Sequence, residues 1–339
     1  MIAQEVANEG RVPRRYKRVV VPYLLSLFFL ITLNFFLPRT LPGDPISAML
    51  VSGGSTTSSA YVQDEATRVA LSRYYGLDKP LVVQYGRYLG DLAQGDLGVS
   101  IRHRKPVSSL IADRLPWTLL LATTAIAVAM AIGLPAGIHS GWRQGGATDR
   151  RLLTLFMAMR NFPAFFFASL ALFVFAVKFG WVPLSGAVTP FSERNMLGRA
   201  VDIGHHLLLP VTVLAIQMAS GHYLLMRGGM VGEMGSDYLV LGRAKGLKER
   251  RLKYRYVARN ALLPVVSLTA VELGFAVSGA VFVETVFAYP GTGRLLFEAV
   301  NARDYPTVQG CFLFLTVGVV TLNLLADLAY AKLDPRVAT

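Results

Sequence analysis

The sequence predicts an all-α membrane protein with six transmembrane helices and both termini on the cytoplasmic side, on three observations. Its 339 residues are 53% hydrophobic and only 16% charged, whereas soluble domains carry about a quarter charged residues. Six apolar stretches are each long enough to cross a hydrocarbon core about 30 Å thick, which takes roughly 20 helical residues. The basic residues alternate between the connecting pieces in a way that sets one orientation. Helices satisfy their own backbone hydrogen bonds, so a helical bundle is the expected form in lipid.

The spans are expected at Val19 to Leu37, Trp117 to Ile138, Leu152 to Val177, Leu207 to Met226, Ala261 to Phe287 and Val308 to Ala331. Pro135, Pro163, Pro210 and Pro264 lie in or near span ends and should kink or start helices there. With the N-terminus inside, the cytoplasmic pieces 1–18, 139–151, 227–260 and 332–339 hold 19 Lys and Arg, against 5 in the short outer pieces 178–206 and 288–306. The chain thus divides into a cytoplasmic N-terminus with the first span (1–37), an extracytoplasmic segment (38–116) and a five-helix core (117–339) containing the 227–260 loop. Arg14, Arg15, Lys17 and Arg18 precede the first span like the basic region of a signal peptide. The apolar run is too long for one and leads into Leu-Pro-Gly-Asp-Pro, not a small-residue cleavage site, so the span should be retained.

The outer segment opens on the turn residues Pro42, Gly43, Asp44 and Pro45, followed by a polar loop from Ser52 to Ser59. After Pro80, Leu81, Tyr85, Tyr88, Leu89 and Leu92 recur at helical spacing, which predicts an amphipathic helix at the outer interface. The net charge of +13 raises nucleic acid as a partner. The basic residues never gather with aromatics on one polar domain, which argues against it. Cys311 is the single cysteine, which excludes an intramolecular disulfide, and its neighbours Phe312, Leu313 and Phe314 suit a packed thiol. No G-x-x-x-x-G-K-[S/T] loop occurs, so no ATP chemistry is expected of this chain.

The loop after the fourth span reads as two short helices joined at Gly246, where a left-handed backbone costs little. Tyr238, Leu241 and Ala244 or Leu247 can form an apolar ridge, and the small residues Gly242, Ala244 and Gly246 leave room for another protein's backbone. Physically, a basic loop held at anionic lipid is the equal alternative. At the end of the fifth span, Glu284 precedes Tyr289, Pro290, Gly291 and Gly293, which predicts a rigid turn at an outer gate anchored by Glu284, or a plain helix terminus.

The run Tyr238-Leu239-Val240-Leu241-Gly242-Arg243-Ala244-Lys245-Gly246-Leu247, then Arg259-Asn260-Ala261-Leu262-Leu263-Pro264, resembles the coupling loop of binding-protein-dependent ABC permeases of the dipeptide/oligopeptide/nickel branch. Glu284-Thr285-Val286-Phe287-Ala288-Tyr289-Pro290-Gly291-Thr292-Gly293-Arg294, Arg303-Asp304-Tyr305-Pro306 and Asp334-Pro335-Arg336 match the same branch. So do Tyr75-Gly76-Leu77-Asp78 and Gly95-Asp96-Leu97-Gly98, in the same order. Val240 stands where the general coupling motif has glutamate, and Gly242 where it has alanine.

The resemblance implies a type I importer permease in a bacterial or archaeal cell membrane. Its partners would be a second related permease, two ATP-binding subunits that hold ATP and Mg, an extracytoplasmic solute-binding protein and the lipid bilayer. Neither a cofactor nor a metal would be bound by this chain. Tyr238, Gly242, Arg243, Ala244, Lys245, Gly246 and Leu247 would contact the ATPase. The solute could be a di- or oligopeptide, a nickel chelate or another molecule.

Two rival classes are open to the same residues. A secondary transporter or channel could use Glu272 or His222 as an intramembrane ionisable group. A membrane enzyme could use His205 and His206 beside Asp202, but adjacent histidines point to different helix faces. Arg160 and Glu272 are expected at similar depths in the third and fifth spans, about 12 and 16 Å from the inner side at 1.5 Å per residue. They could pair along the pathway, or each be solvated separately.

Overall fold

Apolar runs punctuated by proline and glycine fold, in a computed structural model, into a succession of helices. The structure describes residues 13–40, 69–70, 73, 78–191, 195–276 and 280–333. The Pro42–Pro45 turn, the Ser52–Ser59 loop, Tyr75-Gly76-Leu77 and Asp334-Pro335-Arg336 lie outside them. In chain order the helices are α1 (Pro13–Thr40), α2 (Leu81–Ala93), α3 (Val107–Trp142), α4 (Ala147–Asn161) and α5 (Ala164–Ala171), which continues into a π-helical turn (Leu172–Lys178). Then come α6 (Met196–Glu233), α7 (Asp237–Ala244), α8 (Glu249–Arg251) with a second π turn (Leu252–Val257), and α9 (Ala258–Ala261). The last are α10 (Leu263–Ala276), α11 (Val281–Val286), α12 (Thr292–Asn301) and α13 (Tyr305–Leu333). Among the described residues the sole β feature is an isolated bridge between Val99 and Pro106.

Among the described residues, three helices are long and apolar enough to cross a membrane: Val107–Trp142, Met196–Glu233 and Tyr305–Leu322. A fourth span arises if α4 and α5 count together, and Val21–Phe36 and Leu263–Leu273 are shorter apolar helices. The third expected span, Leu152 to Val177, is not one straight rod. It bends by 95° between Asn161 and Ala164, because Pro163 has no N–H to continue the ladder and disfavours a helical Phe162. Within the fifth expected span, α10 and α11 are separate elements flanking residues 277–279.

The chain divides into two compact units, one of residues 1–113 with 295–339 and one of residues 114–294. In the first, α1 packs along α13. Asn34 donates to the Gln309 carbonyl at 3.0 Å, and the buried Phe35 ring meets Tyr85 and Tyr88 of α2 at 5.1 and 5.3 Å. The predicted amphipathic helix therefore forms, with Tyr85 and Tyr88 turned to protein while Leu81 stays exposed. The buried carboxylate of Asp304 accepts from Ser100 Oγ at 2.5 Å, Ile101 N at 3.1 Å and Thr307 Oγ1 at 2.8 Å. It fastens the turn before α3 to the start of α13. Cys311 is buried among Val107, Leu110, Ile111 and Leu295.

In the second unit, a glycine stripe lets α3 approach α6. A Cβ on Gly133 would stand 2.7 Å from the Ala219 carbonyl, one on Gly137 2.8 Å from the Tyr223 carbonyl, and one on Gly141 2.5 Å from Met230 Cβ. Spacing of four residues puts all three on one helix face, the arrangement that brings membrane helices into backbone contact. Asp149, 2% exposed in the first turn of α4, receives Arg227 in two bonds of 2.7 and 2.8 Å, together with Ser140 Oγ and Gly145 N. The Ser140 hydroxyl also shares a hydrogen bond with Tyr223, whose ring stacks on Phe156 at 4.2 Å. One polar cluster therefore joins α3, α4 and α6.

Candidate functional site

The 227–260 loop begins where α6 ends at Glu233. Helix α7 closes in a Schellman motif: Gly246 N donates to Arg243 O at 2.9 Å and Leu247 N to Gly242 O at 3.1 Å. This closure requires a left-handed residue, and Gly246 supplies it at φ +73°. Arg243 then reaches Glu249 at the start of α8, 2.9 Å away, in an exposed pair. That bond raises the Arg243 guanidinium further above its ordinary value.

Tyr238 faces inward, toward the rest of the loop. Its hydroxyl donates to Glu233, and Asn260 of α9 donates to both Glu233 (3.3 Å) and Tyr238 (3.4 Å). Burial, and then the Glu233 carboxylate, push the Tyr238 phenol above its usual range. This clasp ties α7 to both neighbours. Glu233 escaped the sequence reading, although Asn260 stands inside the quoted Arg-Asn-Ala-Leu-Leu-Pro run.

Two readings of the loop change. Gly242, taken from sequence as room for another protein, is buried against this chain, and a Cβ there would stand 2.7 Å from Leu252 Cδ2. The outward apolar surface is Val240 and Leu241, 67% and 55% exposed, beside exposed Ala244 and Lys245. Leu239 is the buried residue beneath them, and Leu247 is half-buried.

The turn after α11 encloses a carboxylate. Glu284 is fully buried and accepts from Thr118 Oγ1 and from Arg294 N, each at 2.9 Å. Thr118 in turn accepts from Thr292 N at 2.8 Å, so α3 and Glu284 together cap the start of α12. A Cβ on Gly291 would fall onto the Glu284 carboxyl, and one on Gly293 would stand 2.9 Å from its Oε2. Pro290 is half-buried, and the fully buried Tyr289 packs edge-on against Trp117 at 6.1 Å. Glu284 anchors the turn through these hydrogen bonds, and the enclosed turn is also the start of α12. Thr118 carried no signal in the sequence.

Arg160 and Glu272 line one cleft of about 740 Å³. Of the two alternatives, pairing and separate solvation, the structure shows no ion pair between them. The partner of Glu272 is His222, with Nε2 3.4 Å from Oε2, because the α6 face that carries His222 is the one packed toward α10. His205 bonds the Trp181 carbonyl and His206 the Asp202 carbonyl, each at 2.9 Å. Asp202 itself holds Thr189 through N and Oγ1, each at 2.7 Å.

Residues 133–339 match the family described as binding-protein-dependent transport system inner membrane component. A Brucella ovis protein assigned as a peptide permease is 40% identical over 93% of this chain and 94% of its own length. The oligopeptide transport system permease protein AppB of Bacillus subtilis is 36% identical over 94% of this chain and 96% of that one. A chain from inward-facing structures of the MetNI methionine ABC transporter is 15% identical, covering 67% of this chain and 97% of that chain at a TM-score of 0.49. Coverage of nearly the full length at 36–40% identity, on a chain built of several apolar helices, places it without ambiguity: it belongs to the family of inner membrane components of binding-protein-dependent transport systems.

Proposed function

We propose that this chain is the permease subunit of an ATP-driven importer of di- or oligopeptides and forms half of the translocation pathway beside a second, related permease. In this reading the chain has six spans with both termini in the cytoplasm, and the 227–260 loop meets one of two ATP-binding subunits. The Glu284 turn then faces the side where a solute-binding protein delivers its cargo, and acts at the outer gate. ATP hydrolysis belongs to the partner subunits.

The observation that carries this reading is the division of labour on α7. Its inner face is committed to Glu233, Asn260 and Leu252, while Val240, Leu241 and Ala244 present an exposed apolar surface on a rigidly closed helix. That is the form of a helix-in-groove contact. Closure of the ATPase would move α7, and the Tyr238 clasp would carry the movement to α6 and α9.

Replacing Val240 and Leu241 by Asp tests it. Membrane insertion should be unchanged, while co-purification with the ATPase and ATP-driven uptake of a labelled dipeptide are both lost. Retained uptake overturns the assignment. Uptake that survives this change but is lost on neutralising Lys248, Arg250 and Arg251 instead assigns the loop to anionic lipid.

A further inference from the structure

The cleft shared by Arg160 and Glu272 is built within residues 114–294 from the break between α4 and α5, the middle of α6 and the face of α10. Its walls are largely apolar, through Phe162, Met218 and Leu268, with Arg160, Gln217 and Glu272 as polar points. A volume of about 740 Å³ lies within the ordinary range for small-molecule sites, which combine apolar walls with a few placed polar groups.

The polar points are not spent on one another. Gln217 donates to the Phe162 carbonyl at 3.1 Å and so holds the break open. Among the described residues, Arg160 has no carboxylate within ion-pair distance. Glu272 is backed by the fully buried His222, whose Nδ1 is committed to the Met218 carbonyl at 3.0 Å. The Glu272 Oε2 atom is buried against His222 Nε2, 3.4 Å away, without accepting a hydrogen bond. A carboxylate in such a setting is costly unless something pairs with it, and the exposed Arg160 side chain is free to meet a solute in the cleft. The first turn of α5 opens on the same cleft at Ala164, adding the positive end of a helix to the side that holds Arg160.

We infer that this cleft receives a solute bearing one carboxylate and one ammonium group, a short peptide with free ends, and that Arg160 takes the carboxylate while Glu272 takes the ammonium. The permease then selects for both termini in its own right. His222 stands behind the Glu272 carboxylate, with Nε2 3.4 Å from Oε2 and in hydrogen-bond contact with Thr269 Oγ1 at 3.2 Å. The choice of peptide rests on the importer reading above; the charge pattern of the site does not.

The test uses the assembled transporter in liposomes, in a Cys311→Ala background with Leu225→Cys as a reporter on the cleft wall. Maleimide labelling is timed with Ala-Ala, N-acetyl-Ala-Ala or Ala-Ala-amide present. Ala-Ala should protect the reporter, and loss of either charge should weaken protection at least about tenfold. In Glu272→Gln the free and acetylated peptides should become equivalent, and in Arg160→Met the free and amidated ones. Equal protection by all three peptides in the parent protein, absence of protection, or unchanged preference in both variants overturns the inference. ATP-driven uptake of labelled Ala-Ala is measured in parallel. Uptake without selective protection removes the cleft assignment alone, whereas selective protection without uptake sustains the cleft and removes the importer reading.

Discussion

The carboxyl group of Glu284 occupies the space in which a side chain at Gly291 would begin. Seven residues apart in sequence, the two are complementary in volume, and the carboxylate is held there by Thr118 and Arg294 N. Gly291→Ala should therefore cost at least about 3 kcal/mol, the upper part of the overpacking range. Glu284→Ala should cost about 1–3 kcal/mol for each donor it strands. Thermal unfolding in detergent should show the double variant less damaged than the two single losses added together. Strict additivity would mean that the pair does not share this space.

Asp149 and Arg227 form the best-connected ion pair of the second unit, with the carboxylate 2% exposed. Asp149→Asn leaves the guanidinium without its counter-charge and should lower stability by about 3–5 kcal/mol. Removing both charges with Asp149→Asn and Arg227→Met should be milder. The unfolding midpoints of the three variants check the order.

Gly242→Ala presses a methyl group against Leu252, which is fully buried. The expected cost is about 1–3 kcal/mol. Leu252→Val should recover part of it, because the clash is with the far end of that side chain. A loss that Leu252→Val does not change would instead place the demand for glycine on the partner's surface.

Gly246 has open space around its would-be Cβ, so its substitution meets only backbone strain at φ +73°. Gly246→Ala should cost about 1 kcal/mol, and Gly246→Asn less. Gly246→Trp should insert and fold while losing the ATPase. Circular dichroism with co-purification separates the two effects, and an unfolded Gly246→Asn would contradict the geometry.

Tyr238 supplies the pH dependence of the loop. Its phenol lies above the ordinary value near 10, through burial and then through Glu233. A raised folded-state pKa gives stability that is fully present below the unfolded value and is lost as pH rises through the folded one. The clasp should therefore be insensitive between about pH 6 and 9 and loosen above about 10. A spin label at Ala244→Cys should report that mobility. Tyr238→Phe should be looser at neutral pH and lack the alkaline transition.

Much of this architecture is legible along the chain because it follows from local rules. Runs of apolar residues specify helices that suit lipid, Pro163 breaks the helix it interrupts, and Gly246 marks a left-handed closure, since each acts through its own backbone. The stripe of Gly133, Gly137 and Gly141 went unread in the sequence and emerged only from the close approach of α3 to α6. Tertiary structure alone decided the partners. His222, not Arg160, stands beside Glu272, Gly242 faces Leu252 of its own chain, Glu233 and Asn260 hold Tyr238, and the Glu284 carboxyl fills the void at Gly291. Helical spacing states which side chains share a face, but the rotation and crossing of each helix select what that face meets. Those are set by packing summed over many contacts between residues distant in sequence.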